Sequence, residues 1–103
     1  MTFRVFLRMQ IRPGLERDFE RTWLDVGHAV TSHPANLGQW LARSGEEEGV
    51  YFVISDWLDE PRFREFERSP AHREHRAKLH PYRSSGSMIT MRLVHALPGQ
   101  EPS

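Results

Sequence analysis

His72 and His75 are the side chains whose spacing most invites a chemical reading. Three residues apart in a helical pattern, they share a face, and an imidazole titrating near neutral pH suits proton transfer. A metal site would need a third donor aimed the same way. Glu74 is adjacent to His75 and points elsewhere, and His80 falls at or beyond the helix end, so no metal is expected here. A solvated helix face rich in Arg and His accounts for the same residues, with a general acid or base as the functional alternative. Trp57, with Asp56 beside it, ends an apolar run directly before the turn into Pro61. A tryptophan there fills core by default, but strand ends under a helix layer are also pocket mouths, and a buried indole N–H wants an acceptor. Trp23, Trp40, Tyr51, Phe63, Phe66 and Tyr82 complete a large aromatic set, part core and part candidate lining for a flat aromatic ligand. Asn36 and Gln39 are polar groups able to orient a phenol or carbonyl, Asn36 being equally a turn residue. Serine occurs in no GxSxG context, and the loop Gly45 to Gly49 carries three glutamates that would repel phosphate.

The chain that positions these groups has 103 residues, 14 basic and 14 acidic, and no cysteine. Disulfide scaffolds, thiolate zinc sites and cysteine nucleophiles are thereby excluded. A net charge of zero supplies no electrostatic footprint for nucleic acid or an anionic membrane, so neither is expected as a partner. No run approaches the roughly 18 apolar residues of a membrane span, and Met1 leads directly into a strand pattern, so a cytoplasmic location is expected. One domain over residues 1–97 with a flexible tail at 98–103 fits this length. A domain this small buries only roughly 60–65% of its unfolded surface, which favours a partner subunit.

Strict alternation from Thr2 to Arg12, with Phe3, Val5, Leu7, Met9 and Ile11 on one face, predicts a half-buried strand. After Pro13-Gly14, apolar residues at Leu15, Phe19, Trp23, Val26 and Val30 predict an amphipathic helix fading near Ser32. Leu37 to Ser44 and Val50 to Trp57 read as a hairpin across a short polar loop. Asp59 and Pro61 open a short helix carrying Phe63 and Phe66, and Ser69-Pro70 starts another running to about Leu79. After the polar stretch Ser84 to Ser87, Met88 to His95 is the last predicted strand. The order β-α-β-β-α-β is the split βαβ, ferredoxin-like α+β arrangement, four antiparallel strands with the helices on one face. The other face must then carry one of Trp40 or Leu41 and one of Tyr51 or Phe52, an exposed patch of the kind that marks an interface or ligand surface.

Tyr51-Phe-Val-Ile-Ser-Asp-Trp57, the acidic turn into Phe63 and Phe66, and Ser69-Pro-Ala-His72 resemble the antibiotic biosynthesis monooxygenase family. The stretches Asn36 to Trp40 and Leu79 to Met88 look most like its small members from actinobacterial aromatic polyketide pathways. The resemblance implies a homodimeric α+β barrel with one site between each sheet and its own helices. It also implies oxidation of phenolic polycycles to quinones by molecular oxygen, with neither metal nor flavin as cofactor. Trp57 matches the family tryptophan that contacts substrate or peroxide, and Arg76 falls where quinone-forming members place an arginine. Where such members carry an asparagine four residues before the tryptophan this chain has Val53, and where they carry a tyrosine six residues after it, Phe63. His72, His75, Asn36 or Tyr82 are candidates to take over those polar roles. The haem-degrading branch places a histidine where this chain has Phe66 or Glu67, so haem is disfavoured. Reduced flavin as a diffusing cosubstrate stays open.

The leading expectation is thus a monooxygenase acting on an aromatic polyketide intermediate in antibiotic or pigment biosynthesis. Trp57, Arg76, His72 and His75 are its candidate catalytic residues, and Trp23, Asn36, Trp40, Tyr51, Phe63, Phe66 and Tyr82 its candidate substrate contacts. A polyketide cyclase, or a non-catalytic aromatic-ligand-binding protein on the same barrel, is the alternative.

Overall fold

A computed structural model describes residues 1–100; residues 101–103 of the expected tail lie outside the described residues. Four strands, β1 (Phe3–Ile11), β2 (Asn36–Arg43), β3 (Val50–Trp57) and β4 (Arg83–Arg92), form one antiparallel sheet in the order β2-β3-β1-β4. Three helices, α1 (Glu16–Thr31), α2 (Glu60–Glu67) and α3 (Pro70–Leu79), complete the ferredoxin-like α+β fold, with one 3-10 turn at His80–Tyr82.

The strand periodicity sets which face is buried. Phe3, Val5, Met9 and Ile11 point into the core on the helix side, and Arg4, Phe6, Arg8 and Gln10 point the other way. Register carries that division across the sheet, placing Tyr51, Val53, Ser55 and Trp57 of β3 on the helix side. It likewise resolves the two pairs left open by alternation: Leu41 and Tyr51 face the helices, Trp40 and Phe52 the bare face. On that bare face Trp40, Ile54, Phe6 and Ile89 stand side by side, one from each strand.

The helices start where local chemistry says they should. Asp59 accepts from the Arg62 N–H at 2.9 Å and Ser69 from the His72 N–H at 3.2 Å, each satisfying a donor the helix leaves free. Two buried clusters form beneath them. One gathers Phe3, Val5, Val30, Ala35, Trp57, Phe63 and Phe66; the other gathers Met9, Ile11, Phe19, Tyr51 and Val53, and Leu7 packs against both. The β2–β3 loop closes through Gly49 at φ 75°, whose carbonyl accepts from the Ile11 N–H at 2.8 Å. A side chain there would stand 3.2 Å from the Ile11 carbonyl, so glycine serves both the turn and the contact.

The last strand differs from expectation, running over Arg83–Arg92 instead of Met88 to His95. Its first half pairs Ser85, Gly86 and Ser87 with Gln10, Met9 and Arg8 through backbone alone. An edge strand with polar, exposed side chains carries no apolar alternation for a sequence reading to find. Among the described residues no helix is long and apolar enough to cross a membrane.

Candidate functional site

Between the helix side of the sheet and the helices lies a cavity of about 340 Å³. Val5, Leu7, Val53, Ser55 and Trp57 form its floor, Phe63 and Phe66 of α2 one wall, and His72, Arg76 and Leu79 of α3 another. The volume falls within the roughly 300–1,000 Å³ of small-molecule sites, and the interior is largely apolar.

Trp57 anchors this space. Its indole is 1% exposed, with ring centroids 4.8 Å from Phe66, 5.5 Å from Phe63 and 5.6 Å from His33. Its Nε1–H donates to Ser55 Oγ at 2.6 Å, which satisfies the one polar atom of the ring. Ser55 also accepts from Asn36 Nδ2 at 3.5 Å, while Asn36 Oδ1 accepts from the Gly38 N–H at 2.9 Å. Asn36 is thus the turn residue of a bulge, standing behind the cavity floor.

His72 packs on Phe66, ring centroids 4.7 Å apart, and its Nδ1 is out of solvent contact without a partner. Burial pushes its pKa down to about 4; the positive charge of Arg76 and the His75 ring add to this, and Glu67 opposes it. Burial also lowers His75, with Lys78 adding and Glu74 opposing. Both rings are neutral at neutral pH. A histidine held below its unfolded value contributes stability that is complete above about pH 6.5 and is lost as the pH falls toward the folded value. Between pH 6.5 and 4 the protein is expected to lose on the order of 1–2 kcal/mol through His72, less than the full shift implies because the ring keeps some water contact. Urea unfolding across that range should show the loss, and His72→Leu should flatten it; an unchanged slope in the variant would assign the loss elsewhere.

Three arginines border the cavity, of which Arg8 pairs with Glu47 at 3.2 Å. Among the described residues neither Arg76 nor Arg83 has a carboxylate partner, whereas Glu67 is held by Arg64 at 3.1 Å. Arg83 lies flat across β4 because residue 86 is glycine: a Cβ on Gly86 would sit 2.5 Å from Arg83 Nη1. The border of this apolar space is therefore electropositive, suited to an anionic oxygen.

A second, more open cavity of about 720 Å³ lies at the other end of the sheet, against the Glu46 to Glu48 loop. Tyr51 borders it and donates its hydroxyl to Glu20, which also accepts from Arg43 at 2.9 Å. These bonds hold the Glu20 carboxyl below its ordinary value, Tyr51 contributing most, and burial with the Glu20 charge raises Tyr51. Tyr51 therefore stays protonated and structural.

The structure brings Trp57, Phe63, Phe66, His72, Arg76 and the polar Gln39 to one cavity and leaves the other candidates outside it. His75 packs beside His72 with its own Nδ1 buried and unpartnered. Trp23 covers the cluster around Phe19, and Tyr82 joins it there, accepting from Thr22 Oγ1 at 3.1 Å. Trp40, expected at the substrate site, lies on the opposite face of the sheet, half exposed, because its parity in β2 matches Phe6 and Ile54. Ser55 and Arg83 were not among the sequence candidates. Period two counted back from Trp57 points to Ser55; nothing comparable marks Arg83.

Residues 2–78 match the profile described as antibiotic biosynthesis monooxygenase. Among solved structures, SnoaB from Streptomyces nogalater, described as a cofactor-independent oxygenase, superposes in an asparagine-to-alanine variant with a TM-score of 0.85. The two are 18% identical over 95% of this chain and 98% of SnoaB. A Caulobacter crescentus protein provisionally named an antibiotic biosynthesis monooxygenase gives 0.83 at 22% identity, covering 91% of each chain. A conserved protein from Methanosarcina mazei gives 0.81 at 15% identity, over 89% of this chain and 92% of its own. No curated protein sequence matches the chain significantly. With three quarters of its length in that profile and the fold of these structures around a cavity floored by Trp57, the chain belongs to the antibiotic biosynthesis monooxygenase family.

Proposed function

We propose that the protein is an oxygenase that converts a polycyclic phenolic substrate of the anthrone type to a quinone with molecular oxygen. The observation that carries this reading is the single cavity in which Trp57, Phe63 and Phe66 offer aromatic walls while His72, Arg76 and Arg83 stand at its polar side. SnoaB's description as cofactor-independent supports a reaction needing neither metal nor flavin.

The chemistry asked of the protein is modest. A ring methylene loses its two hydrogens and gains a carbonyl oxygen, the second oxygen atom of O₂ leaving as water. An ionised phenol supplies the first electron to oxygen, so what the protein must do is favour the phenolate and keep water from the peroxide that follows. His72 is a weak base in the empty cavity. A phenolate formed beside it would raise its proton affinity, and Arg76 and Arg83 would stabilise the anion. The apolar floor supplies the water-poor surroundings in which those charges act strongly.

Incubation with anthralin in air should give the corresponding quinone at a rate proportional to enzyme, unchanged by added reduced flavin, and none beyond background in its absence of oxygen. Arg76→Ala should lower kcat/KM by about ten- to a hundredfold, a loss of roughly 1.5–3 kcal/mol for one charged hydrogen bond. Equal quinone formation without oxygen would overturn the oxygenase reading. Proteins of this family are commonly homodimers, and we assign the same state to this chain, with the bare sheet face as its interface.

A further inference from the structure

We infer that the Ser55 hydroxyl donates a hydrogen bond to an oxygen atom of the bound ring system, and that Trp57 acts on the ligand through Ser55. The inference rests on the oxygenase cavity proposed above and names the group that reads the substrate's oxygen.

A hydroxyl has one proton to give and two lone pairs to offer. In Ser55 the lone pairs are addressed from behind. The Trp57 indole N–H, which can only donate, reaches Oγ at 2.6 Å, and the Asn36 amide, which also donates to the Asp56 carbonyl at 3.4 Å, approaches a second side at 3.5 Å. The Asn36 orientation follows from its other end, where Oδ1 takes the Gly38 N–H at 2.9 Å and so turns the NH₂ toward Ser55. With both donors aimed at Oγ, the serine proton has to leave on the remaining side.

On that side, among the described residues, nothing accepts it: Ser55 Oγ enters hydrogen bonds as acceptor only. The residue is 8% exposed and lines the cavity, so the direction left to its proton is the cavity interior. Val5 flanks it in register on β1 and Val53 precedes it on the same face of β3, while Gln39, its partner on β2, donates its amide nitrogen to the Gly27 carbonyl at 3.2 Å and makes no hydrogen bond to Ser55. A buried donor without an acceptor is costly, and a guest oxygen placed over Ser55 would recover that cost.

The indole N–H is consumed by Ser55 and is not available to the ligand. Trp57 is on this reading a positioning residue: its ring face forms the floor, and its N–H fixes and polarises the Ser55 hydroxyl. A chain of N–H to O–H to ligand oxygen strengthens at each step in a site of low dielectric. Its terminal group is a donor, so it favours an oxyanion over the neutral phenol. A serine two residues before the tryptophan thereby supplies polarity to a floor that is apolar at Val53.

The test uses alizarin, a hydroxyanthraquinone dye whose visible band moves to longer wavelength on ionisation, titrated against pH with the full-length protein. Wild type and Ser55→Thr are expected to bind the ionised dye about tenfold more tightly than Ser55→Ala, one charged hydrogen bond, with the neutral dye bound equally by all three. The bound dye should therefore ionise about one pH unit lower in wild type and Ser55→Thr than in Ser55→Ala. Trp57→Phe, which keeps a ring but removes the N–H, should give an intermediate shift. Dye that binds and ionises alike in wild type and Ser55→Ala overturns the Ser55 assignment and leaves the oxygenase reading standing. Dye that fails to bind wild type at any pH overturns both.

Discussion

Trp57→Ala is expected to lower the free energy of unfolding by about 3–5 kcal/mol and to abolish ligand binding. Natural domains have about 5–15 kcal/mol in total, so the variant stands near the edge of folding at 37 °C. The indole is the largest of the fully buried side chains and touches a partner on every side: Phe63 and Phe66 from α2, His33 after α1, and Ser55 along its own strand. Its removal opens a void where α2 meets the sheet and joins that void to the existing cavity, so the neighbouring walls cannot close over it. Trp57→Phe should cost only about 1–2 kcal/mol, the loss of part of the ring volume and one hydrogen bond. Urea midpoints of the two variants measure the difference; equal, small losses would show that Trp57 is not the keystone of this cluster.

The second large effect concerns assembly. Ile89→Asp is expected to weaken self-association at least a hundredfold, about 3 kcal/mol, and to leave the protomer folded. Ile89 is 57% exposed on edge strand β4, so folding alone is indifferent to it. Trp40 at the opposite edge is 50% exposed, and Phe6 and Ile54 connect the two across the sheet. Four strands about 4.8 Å apart and about 26 Å long present roughly 500 Å² per protomer, about 1,000 Å² for a pair. That sum only just reaches the size of a specific interface, so the whole face has to be used and one buried carboxylate from each protomer is not tolerated. The bidentate Arg4–Asp56 pair, at 2.7 and 2.9 Å, and the Arg8–Glu47 pair, at 3.2 Å, neutralise the arginines of this face. Sedimentation velocity over a concentration series should find wild type as a dimer and Ile89→Asp as a monomer; a monomeric wild type would overturn the assignment.

Much of this architecture was legible because its signals are local. The alternation of β1, the periodicity of α1 and the caps at Asp59 and Ser69 are each set by neighbours within a few residues. The start of β4 was not legible, since Ser84 to Ser87 owe their strand geometry to β1 and bury nothing. The site divides in the same way. Trp57, Phe63 and Phe66 are close in sequence and converge through one short turn, so composition alone points to them. Tyr51 lies on the same face of the same strand, yet six residues at about 3.3 Å put it about 20 Å away, at the other cavity. Trp40 differs only by parity, which became readable once β2 was registered against β3. Arg83 depends on a glycine three residues later for its place, a relation that no period expresses.

Helix α3 forms a wall of the cavity with His72, Arg76 and Leu79, yet none of its residues is fully buried. Displacing it exposes little apolar surface, so the free energy of opening there lies well below that of global unfolding. A ring system seated under His72 and Leu79 adds the contacts that α3 lacks, and occupancy then raises the cost of that opening by the ligand's own binding free energy. On the proposed function, a bound guest would serve as the portion of the interior that α3 lacks.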